Sequence, residues 1–455
     1  MRGEDSRTLP VPEMSVGRNT LWVFVSNLVR VGLTIATSVV LTRALGVSGR
    51  GEFALFTATA GVLSLILGWG LDSAIRYFVA KGPLDASSVA ASLTVYLLAL
   101  GPPLFLVVRG NDVFLSNQFL LPWSIQTPAV EGLLVCAVVA SVGFSGTAAL
   151  LAGKMDFTPL NLVSVGLAFA SLLVYGVMFA AKVWGWFEVD TVVVLTAHTG
   201  LMTTQLGFLV LLSWRRLGVR LPAALIRRPM LIRMIRYGSI AHLATLLQFL
   251  NYRVDYWIVQ HFRGDEGLGL YSLASSLAVM LWMLPRAAAS VLLPATAASD
   301  VGASAAHAAR MSRISVAVGA LLVVPIVPSA RWWITLLFGA EFADSSTPFL
   351  ILLTGCIPFI ASIVLASSLA GSDRLDINLR ASGAGLMATI ALDILLIPKF
   401  GLEGAAIASA TSYLITTGMV VVGYSRMHGI PIHQYLVPTR SDLSYVTDGI
   451  RRVLR

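Results

Sequence analysis

Residues 46–55 read Gly46-Val-Ser-Gly-Arg-Gly-Glu-Phe-Ala-Leu55, and 218 residues later the chain reads Gly264-Asp-Glu-Gly-Leu-Gly-Leu-Tyr-Ser-Leu273. Three glycines and the leucine coincide, Phe53 stands against Tyr271, and Ala54 stands against Ser272. The same offset lays Ala148-Ala-Leu-Leu-Ala-Gly153 on Ala366-Ser-Ser-Leu-Ala-Gly371. Short matches are common in Ala/Gly/Leu-rich helices, but two at one unchanged offset point to an internal duplication. The glycines at the first match predict tight corners that need positive φ; no phosphate-cradling loop is read there.

Outward from these corners the chain is strongly apolar. Of 455 residues, 56% are hydrophobic and only 12% are charged, and the mean hydropathy is +0.81. A soluble domain carries about 25% charged residues to face water, so here the bilayer must be the solvent. Spans of about 20 apolar residues are read at 20–42, 53–75, 87–108, 129–151, 159–181, 190–213, 237–260, 268–292, 312–329, 346–370, 380–398 and 402–425. The ninth is interrupted by Pro325, Pro328 and Arg331. The fold expected is an all-α integral membrane protein of about twelve helices, in two parallel six-helix bundles around a central cavity. Its parts are a cytoplasmic tail (1–19), an N-terminal bundle (20–213), a basic linker (214–236), a C-terminal bundle (237–425) and a second cytoplasmic tail (426–455).

The formal charge of +9 does not imply nucleic acid, because the basic residues lie in short loops between spans. With both termini inside, cytoplasmic segments hold 22 of the 32 Lys/Arg residues and outer loops hold seven, Arg43 and Arg50 among them. That asymmetry sets the orientation. Cys136 and Cys356 are too isolated for a disulfide framework or metal site, and no cofactor is expected. The segment before the first span holds no cleavable signal pattern.

Polar groups inside spans are costly and mark function. Arg30 falls eleven residues into a span of about 23, where snorkelling to either surface is difficult. Asn27, Arg30 and Thr34 share one helical face by their i, i+3, i+7 spacing. In the other half Gln248 stands opposite Arg30 under the offset, and Gln248, Asn251 and Asp255 repeat that spacing, with Arg253 on a neighbouring face. Pairing of Arg30 with Asp255 to hold the halves together is the structural alternative. Arg286, after Pro285, is read either as lining the cavity or as satisfying the proline break. Asp72 and Arg76 are read as a local i, i+4 ion pair, Asp393 as solvated near an outer end, and His198 and His242 as packing residues. Glu131 opens the fourth span, where the helix N-terminus favours an acid. No catalytic constellation appears and the outer loops are short, which argues against an enzyme.

The runs Asn27-Leu-Val-Arg-Val-Gly-Leu-Thr34 through Leu41-Thr-Arg-Ala-Leu-Gly-Val-Ser-Gly-Arg-Gly-Glu-Phe-Ala-Leu55 resemble the Wzx-type flippases of polysaccharide biosynthesis. So do Asn251-Tyr-Arg-Val-Asp255, Gly269-Leu-Tyr-Ser-Leu-Ala274 and Gly401-Leu-Glu-Gly-Ala-Ala-Ile-Ala408. These flippases belong to the multidrug/oligosaccharidyl-lipid/polysaccharide (MOP) exporter superfamily. The resemblance implies a V-shaped cavity that opens alternately to either side of a bacterial plasma membrane. It also implies a lipid-linked oligosaccharide as cargo, with glycosyltransferases or a polymerase of the same pathway as partners. Buried cations suit the phosphates and hydroxyl or amide groups suit the sugars. Arg30, Arg253 and Arg286 are the expected cations, Asn27, Thr34, Gln248 and Asn251 the expected polar contacts. Asp255 is the expected site for a coupling proton or sodium ion. Two other readings stand beside this one: a drug/cation antiporter of the same superfamily, which should carry an acid rather than Arg30, and a membrane glycosyltransferase or ligase. A lipid II flippase would carry two further spans.

Overall fold

A backbone in hydrocarbon must satisfy its own polar groups, and a helix does so within one segment. The computed structural model describes residues 13–82, 84–115, 120–220, 224–283, 285–286, 301–372, 374–439 and 442. Every regular element among them is helical. The N-terminal half holds α1 (Glu13–Gly68), α2 (Leu71–Ala80), α3 (Ala86–Leu115), α4 (Pro128–Gly153), α5 (Thr158–Val183) and α6 (Thr191–Leu217). The C-terminal half holds α7 (Arg228–Met280), α8 (Val301–Val323), α9 (Ile326–Phe338), α10 (Ser346–Gly371), α11 (Leu375–His428) and the short α12 (His433–Leu436). Among the described residues seven helices are long and apolar enough to cross a membrane, or eight if α8 and α9, bent by 59°, form one span. Side chains such as Leu98 and Leu106, 73% and 70% exposed, face outward as only a lipid environment favours. The protein is a multi-pass membrane protein.

Three helices are too long to be single rods. At 1.5 Å per residue, a straight helix of fifty-odd residues would run about 80 Å, far beyond a hydrocarbon core of about 30 Å. Each is broken at one glycine: Gly46 (φ 71, ψ −172) in α1, Gly264 (φ 67, ψ −168) in α7 and Gly401 (φ 62, ψ −133) in α11. These angles are inaccessible to residues with a Cβ at ordinary cost. Gly46 and Gly264 stand 218 residues apart and take nearly the same backbone conformation.

The halves meet beside these corners. A methyl group added at Gly51 would overlap the carbonyl oxygen of Asp265, and one added at Gly269 would overlap that of Val47. Under the 218-residue offset, Val47 corresponds to Asp265 and Gly51 to Gly269, so the contact reads the same from either side. That reciprocity is the mark of a two-fold interface. Arg43 strengthens the same end, donating from Nε and Nη2 to the carbonyls of Leu337 and Leu336 at 2.7 and 2.6 Å, where α9 ends with unsatisfied acceptors.

Of the expected linker 214–236, residues up to Leu217 continue α6 and those from Arg228 already belong to α7. Between them the described residues 218–220 and 224–227 are non-helical, because Gly218 caps α6 in the left-handed region (φ 61) and Pro229 starts α7 at a position that needs no backbone N–H. At the same end of the bundle the C-terminal segment is clamped to α8. Arg313 donates from Nε and Nη2 to the two Asp442 carboxylate oxygens, both at 2.9 Å, and from Nη1 to the Gln434 carbonyl at 2.6 Å. These bonds hold the Asp442 carboxyl well below the usual carboxylate range.

Gly269→Ala is expected to force the halves apart where backbone faces backbone and to cost about 1–3 kcal/mol. Its melting temperature in detergent should fall by several degrees. Gly132→Ala is the control, since its added methyl group meets nothing within 4 Å. Equal melting temperatures for the two variants would refute the tight contact.

Candidate functional site

A cavity of about 550 Å³ runs along α1, α5 and α6, and Ser276 and Met280 of α7 close it from the other half. Arg30 and Thr34 line it, as do Arg50, Tyr175, His198 and Gln205. Among the described residues no Asp or Glu lines it. Arg50, read from sequence as an outer-loop residue, is 6% exposed. It donates to Thr42 Oγ1 at 2.7 Å and reaches Ser276 Oγ of the other half at 3.4 Å. Its Nε is buried without a partner. The correction has a physical cause: α1 turns at Gly46 within a single residue, so Arg50 already sits in the helical stack. A buried arginine surrounded by hydroxyls, with donors to spare, suits an anion.

Thr34 spends its hydroxyl on the Arg30 carbonyl at 2.8 Å, one turn back, which leaves the oxygen's remaining lone pairs toward the cavity. His198 accepts or donates to the Tyr175 hydroxyl at 2.9 Å, so it is a satisfied packing residue. The Asn27 side chain lies outside the described residues.

The stripe in the other half has a different fate. Gln248 Oε1 accepts from Ser382 at 2.9 Å, Asn251 Oδ1 from Thr389 and Ser412 at 2.8 Å each, and Asp255 Oδ2 from Tyr271 at 2.5 Å and Ser409 at 3.1 Å. Hydroxyls of α11 therefore cover the stripe. Gly385 makes room, since a Cβ there would crowd Asn251 Nδ2 at 2.8 Å. Gln248 still borders a cavity of about 470 Å³, together with Arg286, Asn378 and Thr416. Asn251 and Asp255 are buried inside the C-terminal half. Arg286 lines that cavity beside Tyr252. Arg253 lies over the Tyr256 ring at 4.7 Å and donates to its hydroxyl; it lines neither cavity.

Three further expectations change. No ion pair joins Asp255 to Arg30 among the described residues. Asp72 and Arg76 form none either; Asp72 instead borders a polar cavity of about 250 Å³ with Ser64, Ser73, Ser141, Ser145 and His242. Asp393, expected to be solvated, is fully buried, because the turn at Gly401 folds the second limb of α11 back toward it. Neither of its carboxylate oxygens has a hydrogen-bond partner, nor has Asp255 Oδ1. Glu131 is buried at the first turn of α4 and pairs with Arg109 at 3.3 Å. His242 meets the Leu65 carbonyl at 2.7 Å.

Asn251→Ala would remove the acceptor that the Thr389 and Ser412 hydroxyls share and leave them only the Gly385 carbonyl, at a cost of about 0.5–1.5 kcal/mol for each hydrogen bond lost. The expected outcome is a clear drop in melting temperature. Gln248→Ala, at the cavity edge, should leave it nearly unchanged. Equal stability of the two variants would place Asn251 outside the packing network.

The likenesses of this chain agree with that geometry. Over 424 residues it is 20% identical to the "Probable low-salt glycan biosynthesis flippase Agl15" of Haloferax volcanii, covering 89% of this chain and 82% of that one. Its fold is similar to that of a multidrug resistance MATE family transporter of the MOP superfamily solved in an inward-facing conformation, with a TM-score of 0.66 at 14% identity over 89% of this chain and 98% of the other. The lipid II flippase MurJ in an inward closed conformation matches with a TM-score of 0.65 at 12% identity, over 91% of this chain and 88% of the other. Residues 16–299 match the polysaccharide biosynthesis protein family, and the chain belongs to that family.

Proposed function

We propose that the protein flips a lipid-linked oligosaccharide, an anionic sugar–phosphate head on a polyprenyl chain, from the cytoplasmic to the outer leaflet by alternating access. The observation that carries this reading is the 550 Å³ cavity between the halves, lined by Arg30 and Arg50 together with serine, threonine and glutamine side chains. Arg50 is buried and Arg30 open to the cavity, and guanidinium groups offer forked, charge-assisted donors to phosphate oxygens. Serines 164 and 171 and Gln205 on the same walls suit sugar hydroxyls. The family is one of transporters, not enzymes, and the Agl15 name points to a glycan carrier. A drug/cation antiporter shares the fold, but a cavity with two arginines repels cations.

In this reading α1, α7 and α11 each cross the membrane twice, and α8 with α9 once, which gives twelve spans in two sets of six. The Lys/Arg asymmetry puts both termini, and the arginine-rich linker, in the cytoplasm. The reciprocal contact at Gly51 and Gly269 then closes the outer side. The membrane is the plasma membrane, and the enzymes that build and use the lipid-linked glycan are the expected partners. The coupling site is the buried pair Asp255 and Asp393 on α7 and α11, whose unpartnered oxygens would accept a proton or a sodium ion. Binding there would pull together the two helices that border the C-terminal cavity.

The test is reconstitution in vesicles with a fluorescent lipid-linked oligosaccharide, scored by its appearance in the opposite leaflet. Arg30→Ala and Arg50→Ala should each cut flipping at least about tenfold, since a charge-assisted bond contributes about 1.5–3 kcal/mol, while insertion stays normal. Flipping at the parental rate by both variants would sink the reading. For coupling, Asp393→Asn is expected to abolish the response of transport to an imposed proton or sodium gradient. A parental protein indifferent to both gradients rules coupling out.

A further inference from the structure

A further cavity, of about 490 Å³, is walled by residues of α1, α2, α3, the linker and the start of α7. Unlike the others it is almost wholly apolar, walled by Leu67, Val95, Tyr96, Ile226, Leu231 and Ile235. The linker is strapped over it: the backbone N–H of Ile226 donates to Ser92 Oγ at 2.8 Å, and that of Arg220 donates to Ser87 Oγ at 3.0 Å. The groove-lining residues are interleaved with arginines. Arg227 and Arg228 follow Ile226 directly, and Arg233 and Arg236 flank Met234 and Ile235. All four are exposed, and none makes an ion pair among the described residues.

The groove does not end at the protein surface. Leu71 and Leu93 line both it and the serine-rich 250 Å³ cavity, so an apolar slot and a polar chamber share one wall. That chamber in turn shares Thr245 with the cavity that holds Gln248 and Arg286. The seam beside the shared wall is built to be thin. A Cβ on Gly70 would come within 2.8 Å of the Gly238 carbonyl oxygen, and one on Gly238 within 2.6 Å of the Gly70 oxygen. Trp69, next to Gly70, takes φ 31, a conformation that a bulky residue holds only where its surroundings fix it. It is fixed by Nε1–H donation to Ser239 at 3.1 Å and by the His242 ring at 5.9 Å. Trp69 borders the groove and His242 borders the chamber, so this strained pair straddles the seam.

We infer that the groove is a loading site for the polyprenyl tail of the lipid-linked substrate, with its phosphate first held by the arginines of the linker. The inference rests on the flippase reading and assigns that substrate's point of entry. An ordinary phospholipid needs only the apolar slot and the arginines. A slot sharing a wall with a polar chamber matches a lipid whose large hydroxyl-rich head must leave the membrane surface while its tail stays behind. Charge complementarity at the rim selects the anionic phosphate, and the seam at Trp69 and Gly70, closed here by backbone contact, must part for the head to pass inward.

The experiment uses the full-length protein in phosphatidylcholine vesicles, photolabelled with a diazirine-bearing polyprenyl monophosphate. Labels should concentrate in residues 89–99 and 225–235. Unlabelled polyprenyl phosphate should displace them and excess phosphatidylglycerol should not. Val95→Trp and Ile235→Trp, which fill the slot from two walls, should each lower labelling at least tenfold at unchanged melting temperature. Arg227→Gln combined with Arg228→Gln should weaken retention severalfold. Labelling elsewhere, equal displacement by phosphatidylglycerol, or parental labelling of both tryptophan variants overturns the site. If a tryptophan variant misfolds, the competition on the parental protein decides. The two readings separate cleanly: persistent groove labelling without flipping overturns the flippase, whereas parental flipping by both tryptophan variants overturns the loading site alone.

Discussion

Backbone lies on backbone where the halves meet, and much else follows from that. At Gly51 and Gly269 the approach leaves no room for a single carbon atom, so two helix corners can sit as close as peptide planes allow. Without a hydrophobic driving force between helices in lipid, such close packing is a main source of association. The corners themselves depend on Gly46 and Gly264, whose positive φ reverses the chain within one residue. Because the reversal is so short, polar residues just beyond it are buried rather than solvated. Arg50 is the case in point.

From that junction the two halves diverge in chemistry despite their common plan. The N-terminal half opens its polar face to a cavity that Arg30 and Arg50 both line. The C-terminal half covers its corresponding face with hydroxyls from α11, and an aromatic cluster of Tyr252, Trp282, Phe359 and Tyr413 packs behind it. One half thus holds the arginine-lined cavity, and the other keeps two acids, Asp255 and Asp393, buried in its interior. A duplicated scaffold gains direction when its copies differentiate in this way.

Much of the architecture was legible in the sequence, since apolar length and glycine corners are local signals that the bilayer enforces. The break after the α8 segment was visible as Pro325 and Pro328, and Arg30 was marked by its depth in a span. What escaped depended on which helix lies over which face. Periodicity put Gln248, Asn251 and Asp255 on one stripe, but nothing in that spacing says that α11 lies across it. The clue was present in Ser382, Thr389, Ser409 and Ser412, a run of hydroxyls that an apolar span does not need. Asp393 and Arg50 were misread for a related reason: both stand within about two turns of a corner, where counting residues places them in solvent and the tight reversal places them inside.

The clamp between Arg313 and Asp442 bears on how the protein can be handled. Arg313 is 11% exposed and Asp442 3% exposed at their side chains, so the guanidinium was sealed from water on the assumption of its carboxylate. A chain shortened before residue 442 would keep every long helix and still strand a buried cation, the costly half of a broken pair. Affinity tags, fluorescent fusions and engineered tethers are therefore best joined beyond that residue, and the apparent end of the last long helix at His428 is a poor place to cut.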